Sequence, residues 1–291
     1  MLLLAGVFCV GLMDALVKYL SRDYHVLQLT FFRFFFQLTA LILLSPAFNF
    51  FSNLKTNQLK LNLVRALSLL AASVFFFLAI SYIPLAEANA ITFVTPLLMT
   101  VLSIPLHRAR VDARRWLAVS VGFAGALIII RPGWGLVHWV AFLPFIVALN
   151  SALYHLTTPI LGQRENPLKT LYYTGLVGSL LMAFALPWVW RRPTLGGLAI
   201  MAVASLLGLG GHYLLIRAFN QAPTPVLSPF LYSYLVWAVA YDYILFKHPP
   251  DLWLLAGAAA IIGGGMYLFY KEAKSSELAL AGVNGRTGLR P

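Results

Sequence analysis

Ten times along this chain a run of mostly apolar residues, long enough to cross a bilayer or nearly so, is closed by a short charged or turn-forming gap. A spanning helix needs about 20 such residues. The runs fall at 2–20, 27–46, 62–82, 86–106, 116–131, 134–160, 169–190, 198–219, 223–246 and 252–270. SRDYH, NLKTNQLK, HRARVDARR, GQRENPLK, RRPTLGG and KHPPD punctuate them, and Arg131-Pro132-Gly133 makes a weaker cut between the fifth and sixth. Sixty per cent of the 291 residues are hydrophobic and ten per cent charged, against about 25% charged in a soluble domain. The expected fold is an all-α integral membrane protein of ten transmembrane helices.

Charge supports that reading. The net charge of +12 resides mostly in the gaps between runs. Membrane topology is written that way; a nucleic-acid surface would need a basic groove or stripe, so no nucleic-acid partner is expected. Cys9 is the one cysteine, which leaves neither a disulfide framework nor a thiolate metal cluster; no metal or cofactor is expected. The opening MLLLAGVFCVGLMDALVKYL has no basic n-region and no small-x-small cleavage site, so it reads as a first span rather than a signal peptide. The chain starts almost inside that span, as if a short leader preceded it.

Orientation follows from lysine and arginine. With the N-terminus inside, the inner segments and tail hold 14 of them and the outer segments six: Lys18, Arg22, Arg131, Arg191, Arg192 and Lys247. The positive-inside rule therefore puts both termini in the cytoplasm. The tail 271–291, KEAKSSELALAGVNGRTGLRP, is polar and glycine-rich, a composition expected to be disordered.

Two stretches resemble each other: AISYIPLAEANAITFVTPLL (79–98) and AFNQAPTPVLSPFLYSYL (218–235). A tryptophan-led, glycine-bearing run follows each, WLAVSVGFAGALIII and WLLAGAAAIIGGGMY. The offsets are 139 residues from Pro84 to Pro223, 133 from Pro96 to Pro229 and 137 from Trp116 to Trp253. Such an offset covers five spans. Five is odd, so the second copy enters the membrane inverted, an arrangement typical of alternating-access transporters with a midplane site between repeats. The repeats are read as 1–131 and 134–270.

The same residues resemble the drug/metabolite transporter superfamily, in particular its EamA-type permeases. The likeness rests on Asp14-Ala15-Leu16-Val17-Lys18, Arg33-Phe34, Ile83-Pro84-Leu85-Ala86-Glu87-Ala88, and the series Arg114-Arg115-Trp116, Gly122-Phe123-Ala124-Gly125 and Arg131-Pro132-Gly133. It continues through Gly211-His212-Tyr213, Ala218-Phe219, Ala222-Pro223 and Ser228-Pro229-Phe230 to Pro250-Asp251-Leu252-Trp253, covering essentially 1–272. The resemblance implies ten spans in two inverted five-helix halves and secondary transport of amino acids, nucleotide-like cofactors, vitamins or other metabolites, often as export. This chain departs from the family pattern in two places. Arg108-Ala109 and Lys247-His248 stand where members usually carry Gly-Glu at the ends of spans 4 and 9, and Asp242 replaces a small residue.

The polar residues inside the runs are the candidates for chemistry. Arg33, in FFRFFFQ, costs roughly 2.5–3.5 kcal/mol at a bilayer centre. With span 1 rising and span 2 descending, Asp14 and Arg33 both lie about 9 Å below the outer boundary. They are expected to pair, with Lys18 and Glu87 completing a cluster of two acids and two bases. Two readings stand side by side: lysine and arginine snorkelling outward with Asp14 as a structural clip, or a cation facing a cavity to bind a substrate carboxylate or phosphate. Asn150, Tyr154 and His155 on span 6 and His212 on span 8 form an inner polar set, either interhelical hydrogen-bonding groups or proton relays. Tyr232 and Trp237 on span 9, beside the stripe Tyr234-Trp237-Tyr241, are packing residues or cavity lining. Pro96 and Pro229 are candidate hinges.

No His-Glu-x-x-His, Gly-x-Ser-x-Gly or Walker motif is present, so an enzyme is not expected. The expectation is an inner-membrane secondary carrier, monomer or homodimer, of amino-acid-like, carboxylate-bearing or zwitterionic solutes, with protons as the candidate coupling ion and lipid as its surroundings. Adenosylmethionine, riboflavin or drug-like aromatic solutes are the alternative substrates; a non-transporting scaffold is the alternative role.

Overall fold

A computed structural model describes residues 1–44, 55–95, 97–99, 101–102, 113–130, 139–162, 165–221, 230–267 and 270. Every regular element among them is helical: α1 Leu2–Leu20, α2 Val26–Leu44, α3 Leu59–Ile80, α4 Leu85–Thr92, α5 Ala113–Ile130, α6 Leu143–Gly162, α7 Pro167–Val189, α8 Leu195–Gln221, α9 Ser233–Phe246 and α10 Leu252–Tyr267. The described helices follow the order of the apolar runs. Six of these helices (α1, α2, α3, α6, α7 and α8) are long and apolar enough to cross a membrane. The chain is a multi-pass membrane protein.

Helix boundaries differ from the apolar windows where local chemistry intervenes. The sixth apolar run begins at 134, yet α6 starts at Leu143, after a 3₁₀ turn Trp139–Phe142. Asn166 caps α7 by accepting from the Leu168 N–H at 2.9 Å, and Pro167 fills the first turn, where no N–H is needed. In α4 the ladder tightens beyond Thr92: the Val94 N–H donates to Ile91 at 3.1 Å and that of Leu97 to Val94 at 3.0 Å, the i→i−3 pattern of a 3₁₀ segment. Pro96, Pro229 and the tail 271–291 lie outside the described residues. Large apolar side chains such as Leu180, Phe184 and Trp188 stand exposed on α7, as a lipid-facing surface requires.

The helices pair across the chain's midpoint. The closest-packed pairs are α1 with α8, α3 with α6 and α2 with α7, followed by α2–α8, α3–α7, α1–α9, α4–α9 and α4–α6. Exchanging each helix for the one five positions along turns this set into itself: α1–α8 becomes α6–α3, α2–α8 becomes α7–α3, and α2–α7 and α4–α9 are unchanged. Glycine permits the closest crossings. A Cβ on Gly6 would lie 3.0 Å from the Gly211 carbonyl oxygen, one on Gly211 would lie 2.9 Å from that of Gly6, and one on Gly125 would lie 2.7 Å from that of Gly257. These joints bind α1 to α8 and α5 to α10 by backbone contact, the small-residue packing common between membrane helices.

The connections follow the same exchange. At one end, Gln28 donates to the Arg191 carbonyl at 2.8 Å and accepts from its N–H at 2.9 Å, while the Arg191 guanidinium donates to the Asp23 carbonyl at 2.6 Å. At the other end, Glu165 accepts from Thr56 and, at 2.8 Å, from Asn62. Lys169 donates to the Lys55 carbonyl beside them.

Candidate functional site

Arg33, on α2, is 6% exposed. One Nη1–H donates to Ser73 Oγ of α3 at 2.7 Å, and Nη2 lies 3.2 Å from His212 Nε2 of α8. Its Nε has no hydrogen-bond partner. A guanidinium carries five donors, so this one is under-used. The rings of Phe34 and Phe77 flank it at 5.3 and 5.2 Å.

The ion pair expected between Asp14 and Arg33 is absent. Asp14, on α1, accepts instead from the Tyr234 hydroxyl of α9. Its carboxylate stays beyond ion-pair distance of Arg33 while remaining within its electrostatic reach. Among the described residues no carboxylate lies within 4 Å of the guanidinium; the ion pair found there joins Lys18 to Asp242. Arg33 is therefore a buried cation held by neutral groups.

The four-membered charge cluster divides in two. Lys18, near the end of α1, donates to the Ile83 carbonyl at 2.6 Å and lies 3.9 Å from Asp242. Asp242, on α9 and 2% exposed, accepts from the Ala86 N–H at 2.6 Å. Pro84, the residue before α4, supplies no side-chain cap, so a carboxylate from another helix does so and meets the positive end of α4. Glu87 lies with Asp242 and His248 around a cavity of about 70 Å³ at this end. Asp14 and Arg33 lie deeper. Arg33 itself lines, with Met13, Val17, Leu29 and Met201, a cavity of only about 10 Å³, room for about one water and no metabolite.

Across from Arg33 lies a second buried arginine that the topology count treats as a loop charge. Arg65, on α3, is 1% exposed. Its Nε donates to Thr158 at 3.0 Å, Nη1 to Thr174 at 3.0 Å and to the Thr170 carbonyl at 3.3 Å, and Nη2 to the Tyr154 hydroxyl at 2.8 Å. The guanidinium also sits 4.4 Å from the Tyr154 ring centroid. The Tyr154 ring in turn lies edge-on to His155 at 5.3 Å and to His212 at 6.4 Å. Arg33, His212, Tyr154 and Arg65 thus form one continuous polar belt from α2 through α8 and α6 to α3.

The remaining candidates divide cleanly. Trp237 stands edge-on to Phe8 at 4.9 Å and stacks on Tyr241 at 6.3 Å, an aromatic wall on the same helix as Tyr234. Tyr232 tilts against Phe93 at 5.2 Å, apart from the arginine belt. Asn150 does not join it either, since its amide is bonded to the Ile146 carbonyl of its own helix at 2.8 Å. Arg65 and Asp242 were the residues passed over. Arg65 lies inside the third apolar window, as Arg33 lies inside the second, and that position was its signal.

Buried, unmatched charge between glycine-packed, membrane-spanning helices defines a polytopic membrane protein with a polar interior. The chain belongs to the EamA-like transporter family, whose sequence model matches it twice, at residues 1–131 and 138–270. It is similar to an S-adenosylmethionine uptake transporter of Rickettsia bellii, 27% identical over 90% of both chains. It is also similar to a riboflavin transporter of Rhizobium johnstonii, 28% identical over 66% of this chain and 64% of that one. A solved crystal structure superposes on 90% of this chain and 94% of its own at a TM-score of 0.60 and 19% identity, a likeness of fold alone. Membership and named relatives together make the protein a metabolite transporter rather than an enzyme.

Proposed function

We propose that the protein is a secondary, alternating-access carrier of zwitterionic metabolites bearing an amino-acid carboxylate, with S-adenosylmethionine the first substrate to test. The observation that carries this reading is Arg33: buried, flanked by phenylalanines, without a carboxylate partner and with Nε open. A substrate carboxylate supplies the missing charge and can take a two-point fork from the guanidinium. Asp14 and Tyr234 offer acceptors to the substrate's ammonium, and the Phe8–Trp237–Tyr241 wall offers faces to a planar base. Adenosylmethionine unites all three features, and relatives named for its uptake support the choice. Riboflavin is the second reading, favoured by the same aromatic wall.

The framework belongs to the same proposal. Two inverted five-helix repeats, 1–131 and 134–270, account for a pairing pattern unchanged by exchange of the halves. Ten spans with both termini cytoplasmic fit the charge distribution. In that orientation, in an inner membrane, the Lys18–Asp242 contact lies on the outer side of Arg33.

The test is a thermal-shift measurement on purified protein with adenosylmethionine, methionine and riboflavin. A ligand at 100 times its Kd adds about 2.7 kcal/mol of stability. Adenosylmethionine is expected to raise Tm in the wild type, to raise it less in Arg33→Lys and to leave Arg33→Gln unmoved. A full shift in Arg33→Gln removes the guanidinium from the substrate site.

A further inference from the structure

We propose that His212 is the coupling-proton site, and that substrate carboxylate and proton bind together, the carboxylate displacing the imidazole from Arg33. The proposal rests on the reading of Arg33 as the carboxylate site.

The argument begins with the 3.2 Å contact between Arg33 Nη2 and His212 Nε2. A guanidinium has donors and no acceptor. The imidazole nitrogen facing it must therefore accept, which fixes His212 as neutral with its hydrogen on Nδ1. Arg33 on α2, Arg65 on α3 and His155 on α6 are its electrostatic neighbours, and Tyr154 on α6 presents its ring edge. On α1 and α9, Asp14 and Tyr234 are engaged with each other and face Arg33. Without an anion, the bond accepted from Arg33 thus holds His212 neutral.

A carboxylate reverses that condition. A proton on Nε2 sets N–H against N–H and breaks the bond to Arg33. The same step leaves two donors, one guanidinium and one imidazolium, facing a common point. A carboxylate between them takes one oxygen to His212 Nε2–H and the other to Arg33, whose unpartnered Nε is available for it. The proton arrives from water and stays on the ring; no other bond forms or breaks. When the substrate departs, the imidazole must release that proton before it can accept from Arg33 again. One proton therefore accompanies each substrate.

Two measurements on the full-length protein test this. The first is ¹⁵N NMR of histidine-labelled protein without ligand, with His212 assigned by its loss in His212→Gln. The expected ring is neutral and protonated on Nδ1 at pH 7. The second is calorimetric titration of adenosylmethionine and of methionine in buffers of different ionisation heat. Wild type is expected to take up about one proton per ligand, so that affinity falls about tenfold per unit rise in pH. His212→Gln, which keeps an acceptor for Arg33, is expected to bind with no proton uptake and no such slope. A ring protonated on Nε2 in the free protein, or wild-type binding without proton uptake, overturns the proposal and leaves the carboxylate site standing. Failure of both probes to bind overturns the substrate reading, and this proposal with it.

Discussion

Two buried arginines of like exposure have different work because their donors are differently occupied. Arg65 has four bonds to neutral partners on α6 and α7. Arg33 has two, and an empty Nε. Hydrogen bonds to charged groups contribute about 1.5–3 kcal/mol each before the loss of other terms. Arg65→Ala is accordingly expected to lower stability by about 3 kcal/mol, because Tyr154, Thr158 and Thr174 lose their common donor. Arg33→Gln is expected to melt closer to wild type while losing the ligand-induced shift. Denaturation in detergent with and without adenosylmethionine separates the two; equal melting points for both variants would remove the distinction. Sequence alone located Arg33, because a single cation among phenylalanines is conspicuous. It did not separate Asp14 from Arg33, since equal depth on neighbouring helices says nothing about which way each side chain turns. Tyr234, on the directly packed α9 and 220 residues along the chain, was the nearer partner.

Among the elements, α4 shows how a helix end becomes a joint. Its first turn is capped from α9 by Asp242, and Lys18 of α1 reaches the carbonyl of Ile83 just before it. The α9 side of this joint ends at Lys247, whose φ of 58° is left-handed, and the His248 N–H returns to the Asp242 carbonyl at 3.0 Å. Removing one member of a buried charge pair costs about 3–5 kcal/mol, since its mate is left unmatched. Asp242→Ala is therefore expected to lower Tm strongly, and Lys18→Met in the same chain to recover part of the loss. A double variant whose loss equals the sum of the single losses would show that the two residues do not act together. The helices themselves were legible from apolar runs because a bilayer demands them whatever the tertiary contacts. Their ends were less so: α6 starts later than its apolar window because apolar residues also serve a 3₁₀ turn. The capping role of Asp242 could not be read at all, since nothing near Ala86 in sequence announces a cap supplied from 156 residues away.

For the whole molecule, topology is the first expectation to measure. Reporter fusions within 107–115 and after Lys271 are expected to report cytoplasm, and those within RRPTLGG (191–197) the opposite side, following the lysine and arginine distribution. A C-terminus on the far side would break the inverted arrangement. In sequence the proposed repeat shows only through prolines, tryptophans and glycines at similar offsets. Its packing consequence was not visible: the closest pairs, α1–α8, α3–α6 and α2–α7, each take one helix from either side of the midpoint. Among the described residues the main core draws on both segments that the family model matches. A gene divided between residues 131 and 138 should therefore yield two polypeptides that are each degraded when made singly and that rebuild a ligand-binding carrier when made together, copurifying through a tag on one fragment. If either fragment accumulated alone as a stable, folded species, the halves would have to be regarded as neighbours rather than as the interlocked parts of a chain that behaves like an antiparallel heterodimer joined by a tether.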